Sequence, residues 1–326
     1  MKIALLGAAG FVGRIAAQAL SARPEVRDLL LVDYNIRDAK RFAKALSPKC
    51  RWAMADAGRA PELERLLDGV DAVANAVGPC SEYEKRILLA CADKAAPAAS
   101  VGDGTLSAED LREIHEAFRG KGAACVSGCG MMPGWTEILS AHFLPGGPAG
   151  SVERGNRTRR FLFCSLDRFG GYAFFRRAAR IPGPETAAPP GSRPGCYFAA
   201  GEDLFGLPPG RPSGLYSRLG RRIAALGPVG QELSAAFLFW LRGYMNAKEG
   251  TPASAAGVWT VKDAGTACAA VEDPRGRLAG VLLAEASLRL AAGAKGEKGL
   301  LPLHRLIGRE EAERIAGEGG GTILAG

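Results

Sequence analysis

A glycine-rich segment near the N-terminus constrains the fold of this chain more than any other feature. Gly7-Ala-Ala-Gly10-Phe-Val-Gly13 follows directly on an apolar run at residues 3–6, and Asp33 ends a second apolar run at residues 29–32. A strand that stops at a glycine turn and feeds a helix directs the unpaired N–H groups of that helix, and the positive end of its dipole, into the turn. Such a turn suits a pyrophosphate, so the segment predicts a dinucleotide site.

The context of the glycines matters more than their pattern, because the spacing is GxxGxxG rather than GxGxxG and such patterns recur by chance. We expect Gly7 to permit the tight turn, Gly10 to let the backbone approach the phosphates, and Gly13 to let the helix pack closely on the strand. A turn with no ligand is the alternative. The residues predicted to contact the cofactor here are Gly7, Ala9, Gly10, Phe11, Val12 and Gly13.

Asp33 bears on the choice of cofactor. A carboxylate at the end of the second strand accepts hydrogen bonds from a free ribose 2′-hydroxyl and repels a 2′-phosphate. The sequence therefore favours NAD. NADP stays open because Arg37, with Lys40 and Arg41 behind it, can pair with a 2′-phosphate if Asp33 turns away.

Composition excludes several classes of protein. The chain has 326 residues, of which 47% are hydrophobic and 23% charged, as in a soluble globular protein of two domains. No apolar run is long enough to span a bilayer and no leader precedes the first strand, so we expect a cytoplasmic protein without a membrane span. The eight cysteines form no CxxC pair and there are only three histidines, so we expect no metal site.

The net charge of +8 is concentrated in one region. Residues 151–222 contain thirteen arginines, no lysine and five acids, an excess equal to that of the whole chain. A nucleic-acid-binding protein would place this charge on a recognition helix or stripe, whereas arginine also pairs well with carboxylates. We expect a small, anionic substrate and no nucleic acid; a solvated arginine-rich face is the alternative.

Strands and helices alternate along the chain as far as residue 128, which predicts an α/β fold with a Rossmann-type, doubly wound parallel sheet. Predicted helices cover residues 11–22, 37–46, 60–67, 82–92 and a segment opened by Ser107; predicted strands cover 51–55, 72–77, a short segment ending at 101, and 123–127. We expect a nucleotide-binding domain at 1–130, an α+β substrate and dimerisation domain at 131–273, and a C-terminal helical segment at 274–326 that returns to the first domain.

The middle region is less regular. Residues 152–166 alternate as strands do, and the proline- and glycine-rich residues 181–212 suit a lid. A basic amphipathic segment at 215–226 and an apolar one at 233–245 can lie on a membrane surface. Burial in a homodimer interface or over the substrate is the interpretation we favour.

Several motifs together resemble a known family. They are the run Asp71-Ala-Val-Ala-Asn-Ala-Val-Gly-Pro79, then Tyr83, then Val101-Gly-Asp103, and then Gly128-Cys-Gly-Met-Met-Pro-Gly134. These are similar to the saccharopine dehydrogenase-like family of NAD(P)-dependent oxidoreductases, which includes saccharopine reductase, lysine 6-dehydrogenase and carboxynorspermidine synthase. The resemblance covers residues 1 to about 145. The helical stretch 279–291, followed by Gly299-Leu-Leu-Pro302, resembles the C-terminal return of that family.

The resemblance implies hydride transfer between a nicotinamide and a carbon bonded to nitrogen. It places Asp56 near the adenine and Asp103 opposite the substrate. The residues it places along the nicotinamide half are Asn75, Ala76, Val77, Gly78 and Pro79. One departure is Met132, which stands before Pro133 where the family commonly has an acid. That change argues against an amino-acid substrate such as lysine or saccharopine.

The cofactor carries the hydride, so the protein must supply orientation and a proton donor. Asp103 and Tyr83 are the catalytic candidates, ahead of Cys80 and Glu82. The structural alternatives are a turn residue between glycines for Asp103 and a packing residue for Tyr83. Three functions stay open: an oxidoreductase of a C–N or C=N bond, a reductase of a C=C or C=O bond in an apolar substrate, and a non-catalytic NAD(H)-binding protein.

Overall fold

The computed structural model describes residues 1–102, 104, 106–144, 159–164, 229–230, 233, 236, 254–262 and 265–325. These residues divide into two compact units. The nucleotide unit comprises Met1–Gly134 and Arg277–Glu318, and the second unit comprises Trp135–Gly276 and Gly319–Gly326.

The strands within the described residues are β1 (Lys2–Leu6), β2 (Asp28–Asp33), β3 (Cys50–Met54), β4 (Ala72–Asn75), β5 (Ala98–Ser100), β6 (Ala124–Val126), β7 (Arg159–Cys164), β8 (Ser254–Lys262), β9 (Gly265–Asp273), β10 (Gly299–Leu300) and β11 (Thr322–Ala325). The helices are α1 (Phe11–Ser21), α2 (Ile36–Leu46), α3 (Ala60–Leu67), α4 (Cys80–Asp93), α5 (Ala108–Gly120), α6 (Trp135–His142), α7 (Leu278–Ala291), α8 (Leu303–Leu306) and α9 (Arg309–Gly319), with a 3-10 turn at Ala294–Gly296.

A parallel sheet forms the centre of the nucleotide unit. Its strand order, among the residues described, is β10-β6-β5-β4-β1-β2-β3, and each neighbouring pair is parallel. The order reverses at β1, where β4 lies on one side and β2 on the other. This confirms the predicted doubly wound, Rossmann-type sheet, in which ligands bind at the carboxyl ends of the strands near the reversal.

Local hydrogen bonds explain where two predicted boundaries fall. The helix expected after Ser107 begins there because Ser107 and Asp110 form a capping box. The strand expected to run to Val77 ends two residues earlier, at Asn75, because the Asn75 side chain accepts a hydrogen bond from the Val77 N–H at 3.1 Å. That bond turns the chain out of the sheet.

The C-terminal part of the nucleotide unit packs on its first helix. A Cβ on Gly280 of α7 would lie 2.6 Å from the Ile15 side chain of α1, so the two helices are in direct contact there. Further along, β10 adds an edge strand by pairing Gly299 with Ala124 of β6. The Leu300 N–H also donates to Nδ1 of His115 at 3.2 Å, which ties this edge strand to α5.

The second unit contains an antiparallel sheet with the order β11-β9-β8-β7 in the described part of the chain. Ala256 and Val258 are buried on β8, and the consecutive residues Ala269, Ala270 and Val271 are buried on β9. Part of this sheet therefore contributes to a core. With α6 it gives the α+β character expected of the middle region.

Several expectations fall on residues outside those described. Strand β7 lies within the segment 152–166 that was predicted to alternate as strands do. The structure does not describe most of the arginine-rich region, the predicted lid at 181–212, or most of the two predicted helical segments between 215 and 245. Within the described ranges, no helix is both long and apolar enough to cross a membrane.

Candidate dinucleotide site

The glycine turn between β1 and α1 has little room for side chains. Gly7 has φ of +75°, a left-handed conformation that favours glycine, and a Cβ there would lie 2.7 Å from the Ala76 carbonyl group. A Cβ on Gly13 would overlap the carbonyl oxygen of Gly7. Gly13 is thus required by the turn itself, in addition to the helix–strand packing expected from the sequence.

Gly10 has a different environment, because a Cβ there would meet only the Gly7 carbonyl oxygen, at 3.3 Å. It is the N-cap residue of α1, no side chain caps the helix at this position, and no acid lies in its first turn. The start of the helix therefore presents backbone N–H groups and a positive dipole end to the turn. An anion is the ligand that suits this arrangement.

The Asp33 carboxylate links the end of β2 to the glycine turn. Its Oδ2 accepts a hydrogen bond from the Ala9 N–H at 2.8 Å, and its Oδ1 accepts one from the Asn35 N–H at 2.8 Å. Each carboxylate oxygen can accept a second hydrogen bond. Asp33 can therefore hold the turn and still accept a bond from a ribose hydroxyl.

Arg14 reinforces the same turn from the first turn of α1. Its Nε donates to the Ala9 carbonyl oxygen at 2.8 Å, and its guanidinium lies 5.3 Å from the centre of the Phe42 ring. A cation at a helix N-terminus is unfavourable to the helix dipole. It becomes favourable when an anion binds beside it.

A cavity of about 370 Å³ opens at this edge of the sheet. Seven of the predicted cofactor residues line it: Gly7, Ala9, Gly10, Asp33, Ala76, Val77 and Gly78. It also reaches Ala55, Ala57 and Leu63, beyond the end of β3. The cavity thus runs from the carboxyl end of β3 past the glycine turn to that of β4.

The other predicted cofactor residues lie beside the cavity lining. Phe11 begins α1 and is 42% exposed, and Val12 and Gly13 follow it in the helix. Asp56 accepts a hydrogen bond from the Gly58 N–H at 2.8 Å, which forms the turn that precedes α3. Pro79 is the N-cap residue of α4.

Sequence reasoning missed three lining residues that follow Asp33, namely Tyr34, Asn35 and Asp38. Asn35 caps α2 by accepting a bond from the Asp38 N–H, and its Nδ2 donates to Asp38 Oδ2 at 2.8 Å. Arg41 donates to the other oxygen of Asp38 at 3.2 Å. The asparagine three residues before an acid is a capping signal that predicts this arrangement.

The loops that follow β4, β5 and β6 are joined by buried polar contacts. Asn75 Nδ2 donates to Ser100 Oγ at 3.1 Å, and the Val101 N–H donates to the Asn75 carbonyl oxygen at 2.9 Å. The Cys129 N–H donates to the Ser100 carbonyl oxygen at 2.8 Å. These hydrogen bonds bring together the carboxyl ends of β4, β5 and β6, and with them the start of the loop that follows each strand.

Of the two catalytic candidates, Tyr83 is half-buried and packs against the hydrophobic core between the sheet and α4. Asp103 lies outside the described residues, between Gly102 and Gly104. A charged residue of α4 that was not singled out from the sequence, Glu84, is fully buried beneath these loops.

Two buried cysteines of the nucleotide unit, Cys91 and Cys125, are poorly suited to nucleophilic chemistry. Burial raises the pKa of the Cys91 thiol to about 12, and burial also raises the pKa of Cys125 well above its usual value. A thiol must lose its proton to act as a nucleophile. Cys91 and Cys125 therefore act as small apolar core residues.

Comparison with known proteins supports the fold and shows a family similarity in the nucleotide unit. Residues 3–126 match the family model described as the saccharopine dehydrogenase NADP binding domain. Apo saccharopine dehydrogenase (L-Glu forming) from Saccharomyces cerevisiae has a solved structure that is 12% identical, covers 100% of this chain and 99% of its own, and superimposes with a TM-score of 0.59. At that identity the likeness shows the fold alone.

Shorter likenesses also occur. Triphenylmethane reductase from Citrobacter sp., complexed with NADP(H), is 16% identical over 39% of this chain and 48% of its own, with a TM-score of 0.31. A nucleoside-diphosphate-sugar epimerase from Pseudomonas aeruginosa is 24% identical over 39% of this chain and 51% of its own, with a TM-score of 0.28. No curated protein sequence matches the chain significantly.

The parallel sheet, the glycine turn and the cavity beside it are those of a Rossmann-type dinucleotide-binding domain. The match to the NADP binding domain model indicates an NAD(P)-dependent oxidoreductase. Within the nucleotide unit, residues 3–126 are similar to the NADP binding domain of the saccharopine dehydrogenase family.

Proposed function

We propose that this protein transfers a hydride between a nicotinamide cofactor and the carbon of a C–N or C=N bond in a small substrate. The observation that carries the proposal is the match of residues 3–126 to the saccharopine dehydrogenase family, together with a cavity at the glycine turn of that same segment. The sequence resemblance to that family implies a reaction at a carbon bonded to nitrogen.

The residues present fit a dinucleotide. The turn at Gly7 admits no side chain, and the start of α1 offers backbone donors, so we assign the pyrophosphate to this position. Asp33 and Asp38 would flank the adenosine ribose, and the two carboxylates favour NAD. The matching family model is described as an NADP binding domain, so the cofactor class is NAD(P) and the preference for NAD is our proposal. Val77 and Gly78 would approach the nicotinamide half.

When bound, the cofactor supplies the hydride, and the protein orients the reactants and manages a proton. We assign the transfer of this proton to Asp103, which follows Ser100 and Val101 closely in sequence. Ser100 is hydrogen-bonded to Asn75 and Cys129, and Val101 is hydrogen-bonded to Asn75. Tyr83 is the second candidate, and its packing on the core favours a smaller contribution.

The second unit is proposed to provide the substrate site and a homodimer interface, with the domains divided at about residues 130 and 273. The support is its antiparallel sheet and the cluster of arginines in residues 151–222, which suits an anionic substrate rather than nucleic acid. A cytoplasmic location remains part of this proposal.

A second candidate function has one specific observation in its favour. Met132, which is half-buried, stands where the family commonly carries an acid before the proline, so a carboxylate suited to a substrate ammonium is absent at that position. An apolar substrate reduced at a C=C or C=O bond would tolerate this change. A protein that binds NAD(H) without turnover is the third alternative.

An isotope experiment tests the proposal. NADH and NADPH deuterated at nicotinamide C4 on either face are incubated with the protein and mixtures of a 2-keto acid and an amino compound, and in parallel with apolar enones and ketones. The proposal predicts a secondary amine that carries deuterium on the carbon bonded to nitrogen, detected by mass spectrometry. Deuterium in the enone or ketone product alone would assign the second function, and cofactor binding without any transfer would assign the third.

A further inference from the structure

Glu84 occupies a position on α4 where an apolar side chain is expected. Ile87, Leu88 and Cys91, which lie three, four and seven residues further on, share its face of the helix and are buried in the core. Glu84 has 0% exposure, whereas Glu82 on the same helix is exposed. A buried carboxyl group costs free energy that a leucine would not, so its presence points to a role other than core packing.

The carboxyl group of Glu84 lies against a residue of the loop after β6. The Ser127 hydroxyl donates to Glu84 Oε1 with an O–O distance of 2.7 Å. A hydrogen bond of this length to a carboxylate is strong, and it fixes the Ser127 side chain in one orientation. Helix α4 thereby holds the first residue after β6.

The loop after β5 lies directly on this pair. Gly102 has φ of +54°, and a Cβ there would lie 2.6 Å from Ser127 Oγ, 2.9 Å from Glu84 Oε1 and 2.5 Å from the Gly128 nitrogen. The backbone at Gly102 therefore contacts both members of the pair. Asp103 is the next residue along the chain.

We infer that Glu84 is a positioning residue: through Ser127 and Gly102 it fixes the two loops that receive the nicotinamide half of the cofactor. The inference rests on the proposed function, which assigns the nicotinamide to these loops. Loops fixed in advance bind their ligand without an ordering cost, and loss of such a supporting contact weakens binding at the atoms it supports. The adenosine half, held at Asp33 and the glycine turn, is independent of Glu84.

The two halves of the cofactor give a test that needs no substrate. NADH contains the nicotinamide, whereas ADP-ribose keeps the adenosine and pyrophosphate but lacks it. Calorimetry is used to measure the affinity of the wild-type protein, Ser127→Ala and Glu84→Gln for both ligands. NADPH and 2′-phospho-ADP-ribose replace them if the protein prefers the phosphorylated cofactor. Glu116→Gln, an exposed glutamate on α5, is the matched control for the loss of charge.

We expect Ser127→Ala to bind NADH about tenfold more weakly, since it removes the hydroxyl donor of one part-buried hydrogen bond. Glu84→Gln keeps an acceptor oxygen for Ser127 and should weaken NADH binding by less. Both variants should bind ADP-ribose within about twofold of wild type. The double variant should be no weaker than the worse single variant, because both changes act on one contact. Ser127→Ala removes only a hydroxyl group, so it decides the question if Glu84→Gln does not fold.

An equal loss of affinity for both ligands would show general damage to the fold and overturn the inference, as would unchanged NADH affinity in both variants. A wild-type protein that binds ADP-ribose and NADH equally well would contradict the assigned nicotinamide position. A wild-type protein that binds neither would contradict the proposed function itself, so the two failures are distinguishable.

Discussion

The Ala9 N–H donates a hydrogen bond to Oδ2 of Asp33 at 2.8 Å, across the gap between the glycine turn and the end of β2. One carboxylate thus holds the turn in shape and lies at the edge of the cavity where an adenosine ribose would bind. Asp33 therefore has a structural role and a recognition role. A substitution of Asp33 must be judged by the ratio of the affinities for NADH and NADPH rather than by either affinity alone.

Cofactor choice is the first prediction. NADH should bind more tightly than NADPH. Asp33→Ser should reduce the ratio of the two affinities, because it removes the carboxylate that repels a 2′-phosphate. Asp38→Asn should act in the same direction by about fivefold, the effect of about 1 kcal/mol from one partly exposed charge. Titrations that follow nicotinamide fluorescence measure both ratios.

Asp93→Ser, at an exposed position on α4, is the control and should leave the ratio unchanged. A clear preference of the wild-type protein for NADPH would contradict the assignment. Arg37, which is exposed and close in sequence to both acids, would then be the candidate partner of the 2′-phosphate.

Two glycines of the turn should respond differently to substitution. Gly10→Val should abolish binding of either nucleotide in a folded protein, because its methyl groups would occupy the phosphate position. Its Cβ meets only the Gly7 carbonyl oxygen, at 3.3 Å, a tight contact that a shift of a few tenths of an ångström relieves. Gly13→Ala should lower the melting temperature, because its Cβ overlaps the Gly7 carbonyl oxygen. Calorimetry and thermal unfolding separate the two effects; a folded Gly10→Val protein with unchanged affinity would show that the phosphates bind elsewhere.

The C-terminal return is predicted to be stabilised by a buried acid. Glu285 on α7, whose side chain is 9% exposed, pairs with Arg23 at 3.2 Å, Arg289 at 3.0 Å and Arg314 at 2.8 Å. Glu285→Gln should destabilise the fold by about 2 kcal/mol, below the value for a fully buried pair because the arginines are partly exposed. Chemical denaturation measures the change.

Glu313→Gln is the matched control, since Glu313 pairs with Arg309 at 3.3 Å on the exposed face of α9. It should cost less than about 0.5 kcal/mol. Equal effects of the two substitutions would mean that the Glu285 cluster contributes no more than an ordinary surface pair.

Proton transfer is predicted to depend on Asp103. Once a substrate is found, Asp103→Asn should leave NADH affinity unchanged and lower kcat by about two to four orders of magnitude, the usual contribution of a positioned acid or base. Tyr83→Phe should have a smaller effect, because Tyr83 packs against the core. A fully active Asp103→Asn enzyme would leave Asp103 as a turn residue between glycines.

The nucleotide unit could be predicted closely because hydrophobic runs, glycines and a cap mark each of its elements. The N-terminal boundary of α5 at Ser107 illustrates this, since its capping box is visible in the sequence. Strand β9 was missed because its sequence is rich in alanine and glycine, which have weak strand preference. Pairing with neighbouring strands, which a single sequence does not display, compensates for that preference. Strand β8 was also missed, although residues 258–261 (Val-Trp-Thr-Val) carry a strand signal.

The site itself could be predicted in part. The glycine turn and Asp33 carry a local signal, whereas Asp38 reaches the cavity only because Asn35 caps α2 beside it. Glu84 had a signal that was overlooked: a charged residue on an otherwise apolar helix face. Its partner, Ser127, lies 43 positions away, and only the fold brings the two together.

The most direct test of the central claim is a crystal structure of the protein with bound NADH. We expect the pyrophosphate at the start of α1 beside Gly10, the adenosine ribose within hydrogen-bonding distance of Asp33, and the nicotinamide against the loops that contain Gly78, Gly102 and Gly128. Dinucleotide density anywhere other than in this cavity, or a pyrophosphate that makes no contact with the glycine turn, would contradict it.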